Sequence, residues 1–114
     1  MDNIDDVTAT RRIRTLNDNF RTTFLGGKVF FSQMVAELPL DLKAKAILAV
    51  QNFNAFDAAN DPHQQHDFGN FELAGEKYFF KLDYYSLDMS AGSEDPADPD
   101  VTTRVLTIMH ASEY

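Results

Sequence analysis

Neither cysteine nor tryptophan occurs in this 114-residue chain. With no thiol available, a disulfide framework and a thiolate zinc site are both excluded, and a reducing cytoplasm is the expected setting. No uncharged apolar run approaches the roughly 18 residues of a membrane span, so no membrane partner is expected. The opening "MDNIDDVTAT" carries three Asp and no apolar stretch, unlike a secretory signal. Positive charge is scarce in one half only. Residues 1–60 balance seven Lys/Arg against seven Asp/Glu, whereas residues 61–114 hold three against eleven. The formal net charge of −8 therefore resides in the second half, where it repels phosphate backbones and attracts basic surfaces.

Aromatic residues are plentiful. Ten Phe and four Tyr supply much of a core, since each buried ring removes roughly 150–250 Å² from water. The length fits one domain at residues 10–114, after a flexible polar tail at 1–9. From Thr10 onward Ile13, Leu16, Phe20 and Phe24 recur at helical spacing, and Gly26-Gly27 ends the helix. Arg11, Arg12, Arg14 and Arg21 fall mostly off that stripe, as a solvated face does. "KVFFS" reads as an edge strand and "SQMVAELP" as one helical turn before Pro39. Leu42, Ala46, Ala49 and Phe53 share one face of a second main helix, with Ile47 and Val50 beside it.

Beyond residue 60 the period changes to two. "DFGNFEL", "AGE" and "KYFFKLDYY" read as a hairpin, with Tyr78, Phe80, Leu82 and Tyr84 on one face of its second strand. Lys77, Phe79, Lys81, Asp83 and Tyr85 point the other way. The apolar phase slips between Phe68 and Phe71, which places a bulge at Gly69. "SLDMSAGSEDPADPD" is a fifteen-residue loop with five acids, and loops of that length are usually functional or disordered. Six of the eight residues from Val101 to Ile108 are β-branched, as in a strand, with a helix as the alternative. The expected architecture is α+β: two main helices packed on one face of a three- to four-stranded antiparallel sheet. A homo-oligomer is expected to use the carboxyl-terminal strand, paired across a two-fold axis.

The blocks "NDPHQQHDFGNFE", "FFKLDYY", "GSEDPADP" and "TRVLTIMHASEY" give the chain a wider likeness. It resembles a family of short bacterial proteins, the domain of unknown function 3768, many of them encoded on plasmids and integrated mobile elements. The resemblance implies that Asp61-Pro62, His66-Asp67-Phe68-Gly69, Lys81, Asp83-Tyr84-Tyr85, Ser93, Asp95-Pro96 and Arg104 belong to the family pattern. His63 is less typical of it, and His110 stands where an apolar residue is expected. The resemblance implies relatives without implying a reaction.

The chemistry concentrates in "NDPHQQHDFG", Asn60 to Gly69. A metal reading uses His63, His66 and Asp67, with Asp61 beside them, because imidazole and carboxylate suit first-row ions. His-x-x-His in a loop after Pro62 lacks the fixed spacing of a metal signature. The plainer reading has Asp61 and Asp67 bonding to local amides to hold a turn, and no cofactor is expected. A proton-transfer reading pairs His66 with Asp67 or Asp83 and with Tyr84 or Tyr85. No nucleophile elbow, phosphate loop or kinase signature is present. A calcium reading of Asp88, Glu94, Asp95 and Asp98 lacks EF-hand order.

Two binding readings remain. A nucleic-acid platform of Lys77, Phe79, Lys81 and Tyr85 is opposed by the charge of the half that carries it. An interaction surface of Tyr85, Asp88, Glu94, Asp95, Asp98 and Asp100 suits a basic protein, such as the phosphate-binding surface of a host nucleic-acid-binding factor. With the mobile-element resemblance, that becomes a counter-defence or inhibitory module without catalysis of its own, and it is the leading expectation. The alternative is a small metal-dependent or acid-base enzyme centred on His66, Asp67 and Asp83.

Overall fold

A computed structural model describes residues 3–114, with side chains from residue 7 onward. Helix α1 spans Asn3–Thr23. It begins well before Thr10, so most of the stretch expected as a tail is helical, while Met1 and Asp2 lie outside the described residues. Ile13, Asn17, Phe20 and Arg21 are its buried positions, one helical face at three- to four-residue spacing. Arg21, expected on the solvated face, is only 4 % exposed. Its Nη1 donates to Val50 O and Phe53 O, both at 2.9 Å. The guanidinium thus closes the carboxyl end of α3, where carbonyls lack intrahelical donors.

Strand β1 (Lys28–Phe31) leads into the one-turn helix α2 (Gln33–Ala36), which Ser32 caps. Helix α3 (Leu40–Asn52) follows Pro39. Strands β2 (Phe68–Leu73) and β3 (Glu76–Tyr85) form the expected hairpin. Ala74 and Gly75 turn it, both with positive φ, 54° and 81°, as a two-residue primed turn requires. Strand β4 (Thr103–His110) settles the helix-or-strand alternative for that segment in favour of the strand.

The sheet order is β1-β4-β3-β2. The sheet is mixed, which corrects the expected antiparallel arrangement: β1 runs parallel to β4, and the other two pairings are antiparallel. A parallel pair needs a long connection between its strands, and here most of the chain intervenes. Because β4 is an inner strand, it has no free edge for pairing across a two-fold axis. No bulge occurs at Gly69, since the β2–β3 register runs unbroken from Phe68↔Lys81 to Leu73↔Glu76. The phase slip has another cause. Phe71 faces the core and stacks along Tyr78, whereas Phe68 lies on the opposite face against Phe79 and Tyr114, with centroids at 5.2 and 5.6 Å.

Phe20, Val35 and Val50 from the helices meet Tyr78, Phe80, Leu82, Leu106 and Ile108 from the sheet in one buried cluster. All five sheet residues lie on one face by strand alternation. The helices therefore cover a single face, and the architecture is α+β. No helix among the described residues is long and apolar enough to cross a membrane.

Candidate functional site

The chain between α3 and β2 is built from turns that its own carboxylates hold. Asp57 Oδ1 accepts from the amides of Ala59 and Asn60 at 2.9 and 3.0 Å. Asp61 Oδ1 accepts from His66 N at 3.0 Å. Gln64 and His66 both have left-handed backbones, with φ of 59° and 55°. Such conformations are costly without glycine and persist only where surrounding contacts enforce them. Helix α1 supplies those contacts residue by residue. Arg14 Nη1 donates to Gln64 O at 3.0 Å, and Asn17 Nδ2 donates to Gln65 O at 3.0 Å. Asp18 takes the ring of His66, with Nδ1 at 2.9 and 3.1 Å from its two oxygens.

The imidazole of His66 is fixed on three sides. It stacks on Phe56 at 3.8 Å between centroids with the planes 2° apart. Asp18, which also binds Arg21 Nη2 at 3.2 Å, keeps a proton on Nδ1. Nε2 then lies 3.7 Å from the buried Asp61 Oδ2, beside an open cleft of about 500 Å³ lined by Arg14, Phe56, Asp57, Asp61, Gln64 and His66. A carboxylate on one ring nitrogen, with the other beside a second carboxylate at the edge of a cleft, is an arrangement able to accept or deliver a proton.

Behind this junction lies a buried polar spine. Asn17 is fully buried, and its Nδ2 also donates to Tyr84 Oη at 2.8 Å. Tyr84 Oη donates onward to Gln65 Oε1 at 2.9 Å. On the far side Asn17 Oδ1 accepts from Arg104 Nε at 2.9 Å. Arg104 lies over the Tyr84 ring at 5.4 Å and donates through Nη2 to Pro96 O. Burial pushes the Tyr84 hydroxyl up to about 12 and lowers the Arg104 guanidinium from its ordinary value. Burial likewise raises the Asp67 carboxyl, helped by Asp61 and Asp83 and opposed by its own backbone hydrogen bond and by His63.

The expected catalytic group does not assemble as a unit. The hairpin register, extended past Phe68↔Lys81, brings His66 level with Asp83, but the left-handed turn at His66 sends its ring to α1. Asp83 pairs with Lys81 at 2.8 Å instead. Asp67 accepts from Leu82 N at 2.8 Å through its main chain, and Tyr84 belongs to the spine. The metal trio also separates: His63 lines a different recess with Arg11 and Arg14. Among the described residues, no group of three or more His, Asp or Glu side chains stands in metal-binding geometry. His110 caps the last turn of the chain, with Nδ1 on Ser112 and Nε2 on Glu76.

The acidic loop of residues 86–100 is folded by its own acids. Asp88 Oδ1 accepts from Ser86 Oγ, Ser90 N and Ser90 Oγ at 2.7–3.0 Å, and the Ser90 and Ser86 bonds bring its carboxyl down to about 2. Asp95 Oδ1 accepts from Ala97 N and Asp98 Oδ1 from Asp100 N, at 3.1 and 2.9 Å. Ser93, at the middle of the loop, bonds Thr102 just beyond its carboxyl end at 2.7 Å. Asp88, Glu94, Asp95 and Asp100 remain exposed, with Asp98 and Tyr85 half-buried. No Lys or Arg occurs from residue 86 to 103.

Asp18, Asn17 and Phe56 organise the site, and pattern reasoning passes over all three. A signal existed for Asn17: it occupies the buried stripe between Ile13 and Phe20, where an amide costs energy unless fully bonded. Nothing local ties Asp18 to His66, because the two are 48 residues apart; its local pairing is with Arg21.

A family model described as "Protein of unknown function (DUF3768)" matches residues 31–113, most of the chain. No curated protein and no solved structure matches.

Proposed function

This chain belongs to the DUF3768 family, and we propose that it is an anionic protein-binding module that meets a basic protein surface through the loop after β3. The carrying observation is that turn hydrogen bonds lock the exposed carboxylates of Asp88 and Asp95 and the half-buried one of Asp98, with Glu94 and Asp100 exposed beside them. Preorganised charge loses little entropy on association and steers a cationic partner at long range. Arg104 anchors the loop to the spine through Pro96 O, so the anionic surface is held rigidly against the domain. A basic nucleic-acid-binding surface of a host factor fits this chemistry, and the inhibitory, counter-defence version rests on it together with the mobile-element resemblance.

The test removes charge and keeps shape. Asn retains the oxygen that holds each turn, so the variant D88N/E94Q/D95N/D98N/D100N removes five negative charges without removing the turn acceptors. In affinity capture from host lysate, the wild type retains a basic protein that this variant releases at physiological salt. Equal capture by both refutes the reading.

A second reading is favoured by one observation, the Asp18–His66 pair beside the cleft. It is the acid-base enzyme, moved from His66, Asp67 and Asp83 to His66 and Asp18. Turnover of a chromogenic ester, phosphate or glycoside that disappears in His66→Gln supports it. Turnover unchanged by that substitution removes it.

A further inference from the structure

Strand β1 is an edge, and among the described residues no other strand pairs with its outer side. Ser32 N donates to Ile108 O at 3.0 Å, toward β4. Strand alternation then turns the peptide groups of Phe30 and Lys28 toward β4 as well, and those of Val29 and Phe31 outward. The free groups are therefore spaced symmetrically about Phe30. Edge strands are ordinarily blunted by Pro, bulges or charge. Residues 24–36, "FLGGKVFFSQMVA", hold one Lys and no acid, and they leave Leu25, Phe30, Phe31 and Met34 36–76 % exposed. The opposite edge, β2, is protected by the exposed Glu72.

We propose that β1 pairs antiparallel with β1 of a second copy, with the two-fold axis passing at Phe30. Val29 of each chain exchanges both main-chain hydrogen bonds with Phe31 of the other. Phe30 faces Phe30 of the second copy in a non-hydrogen-bonded pair, where Cα atoms approach to about 4.5 Å. The same register sets Lys28 opposite Ser32 of the second copy. Ser32 Oγ donates to Glu113 Oε1 at 2.6 Å, so each Lys28 ammonium comes beside a carboxylate of the other chain. That complementarity selects a second copy over a foreign strand. Two molecules of net charge −8 also bring the least like charge together along this segment.

Light scattering behind size exclusion gives twice the 12.9 kDa chain mass for the wild type. The monomer mass is expected for Phe30→Glu, which sets like charges face to face. The absence of native cysteine permits a second measurement. A Cα separation near 4.5 Å suits a disulfide, so Phe30→Cys dimerises covalently under mild oxidation. Leu48→Cys, at a somewhat more exposed position on α3, does so at least tenfold more slowly. This comparison decides the matter if Phe30→Glu fails to fold. Monomer mass for the wild type at every concentration overturns the proposal and leaves the edge to a foreign strand. Equal cross-linking rates for the two cysteine variants overturn it as well.

Discussion

Replacing Asn17 with alanine tests the polar spine directly. The side chain is fully buried and makes three hydrogen bonds: to Gln65 O, to Tyr84 Oη and from Arg104 Nε. Alanine leaves Gln65 O and Arg104 Nε in the interior without that partner, and each stranded group costs about 1–3 kcal/mol. Arg104 keeps its bond to Pro96 O, and Tyr84 keeps Gln65 Oε1, so the loss falls short of the full sum. A destabilisation of about 3–4 kcal/mol follows, a large share of the roughly 5–15 kcal/mol that holds a domain together. The assay is urea unfolding followed by far-ultraviolet circular dichroism, with Thr15→Ala on the exposed face of the same helix as reference. The midpoint for Asn17→Ala falls with little change in slope. A loss below about 1 kcal/mol, the worth of a single ordinary hydrogen bond, would show that the spine is not a bonded unit.

Gly69→Ala places a methyl 2.6 Å from Phe80 Cζ and 2.9 Å from Phe53 Cε2; both rings belong to or pack on the core, so thermal melting should show a loss of about 1–3 kcal/mol. Asp67→Asn raises the melting temperature at pH 7, because the folded protein resists ionising that carboxyl. A raised folded pKa means the penalty is absent below the unfolded value near 4 and grows as pH climbs through the folded value. The gain should therefore vanish when melting is repeated below about pH 4. Tyr84, held up to about 12 by burial, ionises late in a 295 nm absorbance titration, and Tyr84→Phe removes that phase. Its contribution to stability is complete below the ordinary tyrosine value near 10 and is lost as pH rises through the folded value.

The local elements were readable because each is written in short-range spacing. The hairpin shows in the alternation of "KYFFKLDYY", and β4 in its run of β-branched residues. The helical turn after β1 shows in "SQMVAELP". Gly69 was misread as a bulge because alternation alone registers a phase change, not the ring of Phe80 that excludes any side chain there. Arg21 was misread as solvated because a cation off an apolar stripe looks the same whether it meets water or the end of another helix. The acidic loop was legible as a feature, but not that the carboxylates of Asp88, Asp95 and Asp98 supply bonds that fold it.

Composition and spacing by themselves determined an acidic, cysteine-free α+β chain and its hairpin. Those properties depend on neighbours a few residues apart. Tertiary structure alone decided that β1 lies parallel to β4, that His66 turns to Asp18 rather than Asp83, and that Asn17 joins Tyr84 to Arg104. Each of those choices rests on a contact between residues 48 to 87 positions apart or on a strand pairing of similar reach. Periodicity within one element carries no information about which distant partner completes a buried hydrogen bond, so only the folded chain could supply it.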